Sequence, residues 1–146
     1  MMRDTIILRV VVKLLLPAIL LFALYVQFHG DFGPGGGFQA GVIFAAGFIL
    51  YTLVFGLETA RRVIPIGLLR VLIACGVLLY ALVGVAGLLL GGNYLDYSVL
   101  AETQTGGQHL GIFLIELGVG ITVSAVMVAV FFNFAGRPPK MRDEDW

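Results

Sequence analysis

The chain has 146 residues, 60% of them hydrophobic and 12% charged, with equal numbers of acidic and basic side chains and a mean hydropathy of +1.02. Soluble globular domains carry about 25% charged residues, so this composition excludes an ordinary water-soluble protein and puts the chain in a bilayer. The neutral sum says nothing of partners, and the single cysteine, Cys75, excludes an intrachain disulfide and a cysteine-based metal site.

The first apolar run, 6–28, is too long for the apolar core of a signal peptide and lacks a small-residue cleavage pattern, so it is expected as a membrane helix. Lys13 lies about 10 Å into it. Its long side chain can reach the surface by snorkelling, or it makes a polar contact with a neighbouring subunit. Pro17, in the same run, should kink the helix or leave a carbonyl free.

The stretch Phe28-His-Gly-Asp-Phe-Gly-Pro-Gly-Gly-Gly-Phe-Gln-Ala-Gly41 follows. Pro34 fixes its own φ and pushes Gly33 away from helical geometry, while Gly35, Gly36 and Gly37 admit positive φ and close backbone approach. A sharp turn re-entering a helix near Phe38 is expected. A phosphate loop is excluded, because no Gly-Lys-Ser/Thr follows the glycines, no strand pattern precedes them and no cation lies nearby.

Three further apolar stretches, 37–57, 66–91 and 109–134, are each long enough to cross a hydrocarbon core of about 30 Å. The expected fold is therefore an all-α integral membrane protein: a single four-helix transmembrane domain over 1–135 and a short tail over 136–146. Transmembrane strands would alternate in segments of about ten residues, and no such pattern occurs. All nine basic residues lie near the start, near 58–70 or in the tail, and none in 29–36 or 92–108. By the positive-inside rule both termini, the tail and the second connection face the cytoplasm. Gly37, Gly41 and Ala45, and Gly84, Gly87 and Gly91, form small-residue faces that suggest neighbours beyond this chain.

The third connection carries Tyr94 and Tyr97, read as interfacial anchors, and Asp96 and Glu102, which with Asp31 either form a cation-attracting mouth or are simply solvated. In the last run Glu116 lies seven residues after His109, about 10 Å below the external surface by helix rise. It shares a face with Gly120 and Ser124, so burial against protein, water or an ion is expected over lipid exposure. Glu116, His109, Asp31 and Lys13 are the ion-path candidates. Lys13 and Glu116 are expected near opposite surfaces and so unpaired with each other. No catalytic constellation, metal cluster or cofactor fingerprint is found; neither an enzyme nor a nucleic-acid partner is expected.

The run His29-Gly-Asp-Phe-Gly-Pro-Gly-Gly-Gly-Phe-Gln-Ala-Gly41, following one span and opening the next, resembles the B subunit of the Mrp-type (Mnh) multisubunit cation/proton antiporters. Its most specific element is Pro34-Gly35-Gly36-Gly37-Phe38, with Gly41 beyond it. Length, four-span layout and the Gly-Gly-Gln-His entering the last helix also suit that family. Relatives reading Gly-His-Asn-x-Pro before the triple glycine differ from this chain at Asp31, which makes any role for Asp31 specific to this branch.

The resemblance implies an accessory subunit, without cofactor, among about seven different membrane subunits that together exchange Na+ or another monovalent cation for protons. It would lie within or beside the sodium-translocating module, in the plasma membrane of a prokaryote, the inner membrane if Gram-negative. A similar subunit of a membrane-bound hydrogenase and a purely structural assembly subunit are the alternatives.

Overall fold

The structure, a computed structural model, describes residues 6–30 and 35–137. Four helices are long and apolar enough to cross a membrane: α1 (Ile6–Phe28), α2 (Gly37–Phe55), α4 (Ile66–Leu89) and α5 (Gln104–Ala135). A short helix, α3 (Leu57–Val63), joins α2 to α4, and a 3₁₀ turn at Tyr97–Val99 interrupts the loop before α5. Among the described residues there is no strand.

The element boundaries follow from particular residues. Gly56, at φ 92°, ends α2 and opens α3, so the second span stops at Phe55 and the connection expected over 58–65 is itself mostly helical. Pro65 caps the start of α4. Gly91, at φ 88°, closes it in a Schellman arrangement, with Gly92 N–H donating to Gly87 O at 3.0 Å and Gly91 N–H to Leu88 O at 3.2 Å. Thr103 Oγ1 accepts from Gly106 N–H at 3.2 Å and starts α5 five residues before the apolar run begins. Pro17 sits inside an unbroken α1, where its ring leaves the Lys13 carbonyl without the usual intrahelical donor.

α5 is the spine of the bundle. It packs along α4 on one side and α2 on the other, while α1 packs on α2 and only grazes α5. The core near the α3 end gathers Ala45, Ala60, Leu69, Ala125, Val128 and Phe132, and Arg61 Nη2 donates to Phe132 O at 3.3 Å, tying α3 to the end of α5. Large apolar side chains face outward on α1 and α4, Leu14 and Leu21 among them, as lipid-facing helices require.

Small residues set how closely these helices approach. A Cβ at Gly41 would lie 2.8 Å from Gly120 O, one at Gly76 2.8 Å from Gly118 O, and Ala45 is fully buried. The glycines of α4 serve this chain too: Gly84 receives the Tyr94 ring, and Gly87 lies under the backbone of Asn93 and Asp96. Tyr97 packs on Gly111 of α5. The two tyrosines expected as interfacial anchors thus fasten the third connection onto α4 and α5, which covers Gly84 and Gly87 of the glycine-rich face, while Gly91 faces open space.

Candidate functional site

Where α1 ends and α2 begins, the chain passes directly over Glu116 of α5. A Cβ at Gly30 would fall 2.6 Å from Glu116 Oε2, and one at Gly36 would fall 3.0 Å from Oε1. At Gly37 it would collide with the Glu116 main-chain carbonyl. Three glycines therefore make a cradle in which both the carboxylate and the backbone of Glu116 rest, and Gly36, at φ 146°, takes a conformation that other residues rarely adopt. The Phe28 and Phe113 rings, stacked with centroids 5.8 Å apart, hold the end of α1 against α5 beside this cradle.

The electrostatics of the cradle come from α2. Its N-terminal residue has no side-chain cap, so the first free amides and the positive end of the helix dipole are presented beside Gly36, where the Glu116 carboxylate lies. Glu116 is half-buried. It lies twelve residues after α5 begins at Gln104, yet level with the first turn of α2, whose 19 residues span about 28 Å. The carboxylate is thus near one edge of a hydrocarbon layer of about 30 Å. The glycine roof, more than depth, withdraws it from its surroundings.

One turn along the same seam lies Gln27, the polar residue that sequence reasoning missed. It is 7% exposed, its Oε1 sits 2.5 Å from where a Gly120 Cβ would be, and its Nε2 is buried without a hydrogen-bond partner among the described residues. Gln27 borders an open cavity of about 170 Å³ between α1, α2 and α5 that also touches Gly41, Phe44, Gly120 and Ser124. Ser124 Oγ donates back to Ile121 O at 3.0 Å. The face formed by Glu116, Gly120 and Ser124 therefore does look into one seam, and α1 supplies Gln27 to it. A lone amide near the end of a 23-residue apolar helix was the available signal.

His109 is exposed in a groove with Gln104, Thr105, Gln108 and Ile112 that does not include Glu116. His29 stacks on Tyr25, with centroids 5.1 Å apart. Lys13 is at the far end of the bundle, its ammonium 6.0 Å from the centroid of Phe55, the last residue of α2. Lys13 and Glu116 thus lie at opposite ends of α2. Gly35 packs on Val26, Gly41 on α5, and Phe38 projects outward, 63% exposed. Asp31 and Pro34 lie outside the described residues.

In the third connection Asp96 accepts from both the amide and the hydroxyl of Ser98, the amide at 3.1 Å. These bonds hold its carboxyl below the usual range, the hydroxyl contributing most. Burial, and next the neighbouring Tyr80 and Tyr94, push the Tyr97 phenol up. Asp96 is therefore engaged in capping a turn. Among the described residues no group of His, Cys, Asp and Glu is close enough to hold a metal ion.

Residues 7–129, which include all of α1 but its first residue, the cradle and Glu116, match the family described as "Domain related to MnhB subunit of Na+/H+ antiporter". The chain belongs to this family. Proteins described as a candidate antiporter subunit, mnhB2, from Staphylococcus aureus strains Newman and COL are each 34% identical to it over 139 residues, covering 93% of this chain and 98% of the relative. Agreement over nearly the full length of both proteins means that the MnhB-related chain is similar to these subunits across all four long helices.

Proposed function

We propose that this chain is a subunit of a multisubunit Na+/H+ antiporter in a bacterial cell membrane, and that it contributes to assembly and to the sodium-translocating part of the complex. Family membership and the antiporter descriptions of its relatives support the subunit role, and make a transporter component the better reading than an enzyme. Four long apolar helices support a multi-pass location. Arg9 and Lys13 at the start of α1, Arg61, Arg62 and Arg70 around α3 and early α4, and Arg137 after α5 all fall at one end of the bundle. That distribution supports both termini on the cytoplasmic side and the Glu116 cradle at the external edge.

The observation that carries the ion-path reading is the Glu116 carboxylate resting against Gly30 and Gly36 at the head of α2. A carboxylate there can attract a monovalent cation from outside water and take up a proton when the cation leaves, so that one group serves both ions. Glycines let the chain lie directly against its oxygens, as larger side chains would not.

The test is Glu116→Gln in everted membrane vesicles containing normally assembled complex. Sodium-dependent proton exchange should slow, or its pH profile shift, because glutamine keeps shape and hydrogen bonding but not charge. Unchanged rate, apparent sodium affinity and pH profile would reduce Glu116 to a structural contact.

A further inference from the structure

At the end of the bundle away from Glu116, two cations converge on one aromatic ring. The Arg9 guanidinium lies 5.5 Å and the Lys13 ammonium 6.0 Å from the centroid of Phe55. They border an open cavity of about 470 Å³ with Ile6, Val10, Tyr51 and Phe55, and among the described residues its lining contains no carboxylate. Like charges four residues apart on a helix repel, and each cation is exposed, so among the described residues the arrangement gathers positive charge at one opening. The Tyr51 ring, tilted against Phe55 at 4.7 Å between centroids, lines the same opening and carries a phenolic hydroxyl.

A guanidinium, an ammonium and a hydroxyl around one opening are donors suited to a phosphodiester. Phe55 ends α2, a helix about as long as the hydrocarbon layer is thick, so the opening lies at the level of phospholipid headgroups. Directly along α1 from Arg9, Val10 and Leu14 are exposed and apolar, a surface that an acyl chain can cover. A soluble phosphate would use the donors but not that surface.

We infer that Arg9, Lys13, Tyr51 and Phe55 form a binding site for the headgroup of an anionic phospholipid, whose chains lie along α1. Basic openings between membrane helices attract such headgroups at about fivefold in affinity per cation. The inference depends neither on the antiporter reading nor on a role for Glu116.

The purified full-length chain in neutral detergent is titrated with phosphatidylglycerol or phosphatidylcholine, and bound lipid is counted by native mass spectrometry, with helix content checked by circular dichroism. Phosphatidylglycerol should bind at least about tenfold more tightly. Arg9→Gln or Lys13→Gln should each weaken it about fivefold and the double variant abolish the preference. Arg70→Gln, which removes an exposed cation outside the site, should leave it unchanged. Equal binding of the two lipids, or a preference that survives the double variant, overturns the assignment. Displacement of phosphatidylglycerol by an equal concentration of inorganic phosphate also overturns it, in favour of a soluble-anion site.

Discussion

Gly37 in the first turn of α2 abuts the main-chain carbonyl of Glu116 so closely that no Cβ fits between them. Gly37→Ala must therefore part α2 from α5, at a cost of about 1–3 kcal/mol. Gly67, in the first turn of α4, faces open space, so Gly67→Ala should be neutral or stabilise by up to about 1 kcal/mol. Thermal unfolding of the purified variants in one detergent measures the contrast. Equal stability of the two alanine variants would mean that the α2–α5 contact is looser than these positions require.

The four long helices were legible in the sequence because the bilayer demands about 20 consecutive apolar residues, a signal that needs no knowledge of tertiary contacts. Glu116 was legible for the same reason, as a carboxylate isolated in an apolar run. Its meeting with Gly30, Gly36 and Gly37 was not, since it depends on which helices become neighbours across about eighty residues of chain. The small-residue face of Gly37 and Gly41 suggested neighbours beyond this chain, and both glycines meet this chain's own α5. The start of α5 was missed because Gln104-Thr105-Gly106-Gly107-Gln108 is polar and glycine-rich. Gly107 and Gly111 are small there because Tyr97 lies on them.

The proposed orientation gives a labelling pattern. In a Cys75→Ala background, Glu102→Cys should react with an impermeant reagent added outside intact cells, and Thr59→Cys should react only after permeabilisation. Both positions are exposed, so lack of reaction cannot be blamed on burial. The reverse pattern would invert the topology and put the Glu116 cradle at the cytoplasmic edge.

Asp96 links loop order to pH. Its carboxyl is held below the ordinary value of 3.8, so the stabilisation it gives the turn is fully present above that value and is lost only as pH falls through the lower folded value. Ser98→Ala removes the hydroxyl donor, the largest contribution, and should move the Asp96 titration back up toward 3.8. Carboxyl chemical shifts of the labelled residue, followed against pH, report the midpoint directly. An unmoved midpoint would show that the backbone amide alone sets it.

Gln27 separates packing from transport. Its buried Nε2 has no partner among the described residues, and a buried unsatisfied donor costs about 1–3 kcal/mol, so Gln27→Leu should fold at least as stably as the parent, with an unfolding midpoint equal or higher. The same amide lies beside Gly120, one turn from Glu116, where its Nε2 can donate to a water and its Oε1 can accept from a water or face a partly hydrated cation passing the carboxylate. Removing that amide forfeits on the order of 1.4 kcal/mol in the transport step, so exchange by the assembled complex should slow about tenfold. Stability and transport are thus expected to move in opposite directions, which a residue serving only to pack α1 against α5 does not produce. Midpoints from detergent unfolding and sodium-dependent proton exchange in vesicles supply the two readouts. A variant that loses both stability and exchange assigns Gln27 to packing, and one that keeps the parent rate removes it from the ion route.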